Sequence, residues 1–279
     1  MNTEFFSPQT FDFLWEAAEL GELPYPLRVR SSGATENERS AMRVRADVEL
    51  KARGVRDGRG RLESRVEDWL YLLARAPLSV DAMHIPQYLA PPVGILAASD
   101  GRQSVVAIQD ADGIWLREAP ADGMVSAVVE LLPPGERGSE ASLTLPLDEA
   151  LHTAPVRVPV SASSAQSEED DKGKRRDKVQ PRRVSLSERV TADPREVYAR
   201  LSGQPRLRGG QVVANSRTQL GAKQRSRVLA WFDTASGRYL SLSRAGSDGR
   251  EWVTVSPADP KTLRTRLSEM VSSVSADTR

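Results

Sequence analysis

The chain has 279 residues, no cysteine, 39 Lys and Arg against 38 Asp and Glu, and 39% hydrophobic residues. Lack of cysteine excludes disulfides, thiolate chemistry and cysteine-ligated zinc, and a formal net charge of +1 gives no general attraction to nucleic acid or anionic membrane. The length suits one large domain or two medium ones, no apolar run approaches the roughly 18 residues of a membrane span, and Met1-Asn-Thr-Glu-Phe-Phe has no basic leader, so a cytoplasmic protein without membrane insertion is expected.

Thr10 can cap a first helix with Phe11, Leu14, Trp15 and Ala18 on one face, stopped by Gly21 and Pro24. Tyr25 to Arg30 alternates apolar with polar residues and Pro, which predicts a strand with one wet face. Thr35-Glu-Asn-Glu38 fits a capping box opening a helix that ends near Gly54. Leu62, Val66, Trp69, Leu70 and Leu73 place a second amphipathic helix beside it. Leu78 to Ile85 is then extended, and Val93 to Ala98, Ser104 to Ile108 and Ile114 to Leu116 make a meander through the turns Asp100-Gly-Arg and Asp110-Ala-Asp-Gly113. Pro120-Ala-Asp122 opens a helix through Val125, Val128, Val129 and Leu132, closed by Pro133-Pro-Gly135.

Leu143 to Leu151 starts a second half. Ser161 to Arg183 carries Glu168-Glu-Asp-Asp171 and then Lys172, Lys174, Arg175, Arg176, Lys178, Arg182 and Arg183, with almost nothing large and apolar. Such a segment cannot bury enough surface to offset its ordering entropy, which predicts a disordered charged insertion over 161–183. Ser187 to Leu201 is predicted helical with a fresh start at Asp193-Pro194, and Gly209 to Ala214 returns to the sheet. From Arg225 to Val255 a second meander turns at Asp233-Thr-Ala-Ser-Gly237 and Gly246-Ser-Asp-Gly249. Asp259 and Pro260 then start a helix with Leu263, Leu267, Met270, Val271 and Val274 at helical spacing.

The second module repeats the first. Gly101-Arg102 matches Gly237-Arg238 and Asp112-Gly113 matches Asp248-Gly249, both at an offset of 136. Trp115 matches Trp252, Pro120-Ala-Asp122 matches Pro257-Ala-Asp259, Phe6 matches Leu143 and Leu14 matches Leu151, all at 137. Two copies predict one pseudo-twofold unit, with half-repeats over 1–136 and 137–279, rather than a solenoid.

No catalytic, cofactor or metal site is read from the sequence. Gly54, Gly58 and Gly60 lack a Gly-Lys-Ser/Thr element and follow a helix. His84 and His152 have no ligand at metal spacing, and Asp110, Asp112, Asp233 and Asp248 have a sufficient reason to sit in turns. The basic run Lys172 to Arg183 could contact phosphates, giving an alternative function as a nucleic-acid-binding regulatory module. It follows four acidic residues and lacks an aromatic for base stacking, which favours a solvated linker. A third possibility is a small-ligand sensor between the two halves. One further feature points to a partner: Arg225, Arg227, Leu229 and Trp231 share a strand face, and guanidiniums beside Leu and Trp are the composition of interface anchors. The alternative is that a layer of helices covers that face.

The run Arg227-Val-Leu-Ala-Trp-Phe-Asp233-Thr-Ala-Ser-Gly237-Arg-Tyr-Leu240, the Asp248-Gly turn and Pro257-Ala-Asp-Pro260 with its helix resemble the C-terminal part of the EspG proteins of type VII (ESX) secretion. Phe13-Leu-Trp-Glu16, Leu23-Pro24 and Gly33 to Arg39 are similar as well, so the resemblance spans the chain outside 161–183. It implies an α+β fold with a central, mostly antiparallel sheet flanked by two helical bundles. It also implies a non-enzymatic cytosolic chaperone that binds the helical tip of PPE-like or other helical-hairpin secretion substrates, keeps them soluble and directs them to the secretion machinery. Asp233, Thr234, Gly237 and Arg238 match that pattern and read as residues that hold the meander.

Overall fold

A computed structural model describes residues 2–152, 193–218 and 220–276; the expected insertion 161–183 and residues 187–192 of the helix expected from Ser187 lie outside them. The elements are β1 (Thr3–Phe6), α1 (Pro8–Ala17), α2 (Glu36–Ala52), α3 (Ser64–Arg75), β2 (Leu78–Ile85), β3 (Val93–Ser99), β4 (Ser104–Gln109), β5 (Ile114–Ala119), α4 (Met124–Leu131), β6 (Leu143–Pro146) and α5 (Leu147–His152). They continue with α6 (Pro194–Ser202), β7 (Arg208–Arg217), β8 (Lys223–Arg225), β9 (Leu229–Thr234), β10 (Gly237–Ala245), β11 (Glu251–Pro257) and α7 (Pro260–Ala276).

All eleven strands form one sheet in the order β1-β5-β4-β3-β2-β7-β9-β10-β11-β6, with β8 paired to β7. Every pairing is antiparallel. The order reads the same way inward from either edge: a short strand preceding a helix, the three strands of a meander, and a central strand. The two central strands, β2 and β7, meet from Leu78 opposite Ser216 to Ile85 opposite Gly209. The pseudo-twofold arrangement expected of the fold is thus carried by the strand order.

Side-chain alternation divides the sheet into two apolar faces. Val80, Ala82, Ile95, Ala97, Val106, Val212, Ala214, Leu229, Trp231 and Leu240 pack under α4 and α7. Leu263 and Leu267 of α7 are buried there, each contributing about 1.5–3 kcal/mol relative to exposure. The opposite face carries two separate helical groups, one per half. Leu96, Ala98, Val105, Ala107, Ile114 and Leu116 lie under α1 and α3, while Leu143, Leu145, Tyr239, Val253 and Val255 lie under α5 and α6. Between these groups, part of the surface of β2, β7 and β9 is open.

Local chemistry explains most element ends. Thr35 and Glu38 form the expected reciprocal capping box on α2, and Gly54 follows it at φ 72°, a left-handed backbone that glycine adopts without a Cβ clash. The cap of α1 lies three residues before the expected one: Ser7 is the cap, its Oγ accepting from Thr10 N at 3.1 Å, with Pro8 in the first turn. Asp259 caps α7 by accepting from Thr262 N at 2.7 Å, whereas α4 starts only at Met124, with no side-chain cap. Tyr25 to Arg30 is not a strand. Its backbone is held instead by the Gln109 side chain, which accepts from Arg28 N at 2.7 Å and donates to Arg28 O at 2.6 Å. The strand expected to run from Arg225 is broken, because Arg225 ends β8 against Asn215 and β9 begins only at Leu229.

Candidate partner-binding groove

The four residues expected to form a partner surface do not come together on one. Leu229 and Trp231 are each 2% exposed, covered by α4 and α7. Arg225 lies on β8, and Arg227 is exposed in the link between β8 and β9, its Nη1 donating to Ser243 O at 3.1 Å. The expectation of an open Arg225, Arg227, Leu229, Trp231 face is therefore corrected to the alternative reading. Both sides of this strand are apolar, and the helix layer occupies the side of Leu229 and Trp231. What stays partly open is the other side, Ala230 and Phe232.

Ala230 and Phe232 floor a groove of about 600 Å³, together with Gly209, Ser241 and Val255. One wall is α6 and the segment after it, through Tyr198, Leu201 and Leu207; the other is the end of β2 at Ile85 and the β2–β3 connection, through Tyr88 and Leu89. Its lip is apolar and wet: Ile85 is 45%, Leu207 51%, Tyr88 76% and Leu89 85% exposed. Leu89 holds φ 64°, a left-handed backbone that costs a non-glycine residue roughly 1–2 kcal/mol. Four such side chains around one concavity form the kind of exposed patch that marks an interaction site. The guanidinium of Arg206 lies 3.5 Å from the Phe232 ring centroid, and burial holds its pKa below the ordinary arginine value. Sequence periodicity does not reveal this lip, because apart from Ile85 at the end of β2 its residues lie in connections. The available signal was large apolar side chains between prolines: Tyr88 and Leu89 between Pro86 and Pro91, and Leu207 after Pro205.

Further along the same face, four residues back on β2, a polar cavity of about 730 Å³ holds Asp81. Asn215 Nδ2 donates to Asp81 Oδ1 at 2.6 Å and Arg225 Nη2 to Oδ2 at 3.3 Å. Burial raises the carboxyl pKa, and these two donors only partly oppose that.

The turn residues expected to hold the second meander do more than turn. Asp233 and Arg238 are buried, and Arg238 donates bidentately to Asp233, Nε to Oδ1 at 2.7 Å and Nη2 to Oδ2 at 2.8 Å. Arg208 Nε reaches Oδ2 at 2.6 Å. The same guanidiniums grip the chain between the halves, through Arg238 to Pro133 O at 2.6 Å and Arg208 to Pro134 O. Arg238 also lies 4.5 Å over the Trp231 ring. The His84 ring, 6.1 Å from Trp231, is pushed down to a pKa of about 4 by burial and then by the charges of Arg238 and Arg208. This cluster is a lock on the fold, with every charged group committed to another part of the chain. The other aspartates considered are turn residues: Asp110 Oδ1 accepts from Asp112 N and Gly113 N, and Asp248 Oδ1 from Arg250 N. Among the described residues no group of His, Asp and Glu is arranged to hold a metal, and no helix is long and apolar enough to cross a membrane.

A pseudo-twofold antiparallel sheet with separate helical groups and an apolar groove between them defines an α+β fold. Residues 7–269 match the model of the EspG family, and the chain belongs to that family. Among solved structures, that of the Mycobacterium tuberculosis type VII secretion system chaperone EspG5 in complex with the PE25-PPE41 dimer is similar in fold. The match has a TM-score of 0.64 at 16% sequence identity and covers 99% of this chain and 96% of that one. No curated protein matches the sequence.

Proposed function

We propose that this chain is a non-enzymatic, cytoplasmic chaperone of type VII secretion. It takes the helical tip of a PPE-like or other helical-hairpin substrate into the apolar groove, keeps that substrate soluble and directs it to the secretion machinery, without cofactor or nucleic acid. The observation that carries the reading is the lip of Ile85, Tyr88, Leu89 and Leu207 around a concave sheet surface. An exposed helix end is apolar on one side and has unpaired carbonyls or N–H groups. A groove that joins an apolar floor to polar edges matches both. Family membership and the PE25-PPE41 dimer held by the similar structure support the same reading. The working unit is the whole chain, one domain of two half-repeats over 1–136 and 137–279.

The test is co-expression with the PPE-type protein of the same host, followed by size-exclusion chromatography. The wild type should keep the substrate soluble in a stable complex. Leu89→Asp and Leu207→Asp, both at exposed positions that leave the core intact, should fold normally and release it. A wild type that solubilises no helical-hairpin protein would overturn the proposal.

A further inference from the structure

The polar cavity beside the groove is lined by more cations than carboxylates. Its walls present Arg75, Arg217, Lys223 and Arg225 against only Asp81 and Glu22. Arg217 and Lys223 sit directly opposite each other in the β7–β8 pair, so two cations are held side by side at the rim. Arg225 is tethered there from two directions. Its Nη2 donates to the buried Asp81 carboxylate at 3.3 Å, and its guanidinium lies 5.9 Å from the Tyr25 ring centroid. Asp81 is itself fixed by Asn215 Nδ2 at 2.6 Å. A buried carboxylate that spends one bond on an exposed arginine acts as an anchor, holding that arginine at the mouth instead of letting it sweep through solvent. The excess of positive charge at a concave, partly desolvated mouth selects an anion and disfavours a cation.

We propose that this cavity is a carboxylate-recognition site for an acidic segment of the protein partner, with Arg217, Lys223 and Arg225 as contact residues and Asp81 as the positioning residue for Arg225. It lies on the same face as the apolar groove, about 13 Å from Ile85 at the rise of a β-strand. One helical-hairpin tip can thus place its apolar end on Phe232 and a Glu or Asp side chain at Arg225. The apolar groove supplies contact area, and the cavity discriminates between tips with and without a carboxylate at that spacing. That the carboxylate belongs to the groove's occupant rests on the chaperone reading; the anion site itself does not.

The test titrates the whole protein with N-acetyl hexaglutamate at low salt and follows the Nε resonances of its arginines. Arg75, Arg217 and Arg225 should shift, Arg59 and Arg102 on the exposed turns should not, and hexalysine should shift none. Arg217→Ala with Lys223→Ala should weaken binding on the order of tenfold without changing Tm, and raising the salt should weaken the wild type in parallel. Asp81→Asn should weaken it with the Arg225 resonance broadened, while Leu207→Asp should bind the peptide as the wild type does. Equal shifts at Arg59 and Arg102, or none anywhere, would overturn the proposal. If the peptide binds as expected but no helical-hairpin protein does, the anion site stands and the chaperone reading falls. Capture of the hairpin protein equally well by the wild type and the Arg217→Ala, Lys223→Ala variant would refute a role for the site in partner choice.

Discussion

The β3–β4 and β9–β10 hairpins occupy equivalent places in the two halves, and they are held by different physics. In the first, Asp100 Oδ1 accepts from Arg102 N at 2.8 Å and Gln103 N at 2.9 Å in an exposed turn, a bond set that touches nothing beyond the hairpin. In the second, Ala235 and Ser236 alone separate the paired Thr234 and Gly237. Asp233 is drawn inside to bind Arg238 and Arg208, which in turn hold Pro133 and Pro134. The segment Pro133 to Gly138, which joins the halves, packs on this hairpin, Gly138 N donating to Arg238 O at 3.0 Å and Arg238 N to Glu136 O at 2.8 Å. Similar Asp, Gly and Arg residues therefore serve a local turn on one side and a long-range lock on the other, and the difference is set by what the rest of the chain lays over them.

The sharpest way to break this contrast is Asp233→Ala. It strands a fully buried guanidinium and a partly buried one, and should cost about 3–5 kcal/mol, read as a lower urea midpoint. Asp100→Ala should cost about 1 kcal/mol or less. Comparable losses at the two positions would refute the distinction.

Next in size is a pH effect. The His84 pKa is depressed from 6.5 to about 4, so its contribution to stability is present above pH 6.5 and is lost as pH falls from 6.5 toward 4. The loss should total about 3 kcal/mol. In His84→Gln, which cannot titrate, the fall in stability over that window should be shallower by this amount, whatever the carboxylates common to both proteins contribute.

Smaller again is Gly138→Ala. A Cβ there would lie 2.4 Å from Tyr239 Cζ, forcing the linker off the hairpin at about 1–3 kcal/mol. The smallest expected effect separates the two meander-to-helix junctions. Asp259→Ala removes the α7 cap and should cost about 1 kcal/mol, whereas Asp122→Ala, at a helix that uses no side-chain cap, should stay within about 0.5 kcal/mol. Thermal unfolding of the pair decides it.

Both meanders, the capping box of α2 and the terminal helix were legible in the sequence because turn chemistry and helical spacing are local. The short edge strand β1 and the three-residue β8 carry too little pattern to be seen. Tyr25 to Arg30 misled because alternation signals extended backbone, while a ladder partner is a tertiary fact; Gln109 took that role with a side chain. The same limit governed the site. Leu229 and Trp231 were as apolar as Ala230 and Phe232, so composition could not say which side the helices cover. Apart from Ile85, the groove lip lies in connections that follow no period, and Asp233 with Arg238 could not be told from ordinary turn residues until Pro133 to Gly138 was placed over them.

The central claim, that the open face of the sheet receives the partner, is tested most directly by amide hydrogen exchange of the wild-type protein alone and in complex with the PPE-type substrate proposed for it. The account predicts new protection over 85–90 and 203–209, with α4 and the outer face of α7 unchanged. Protection confined to α7, or to α2, with the groove segments exchanging as in the free protein, would contradict it.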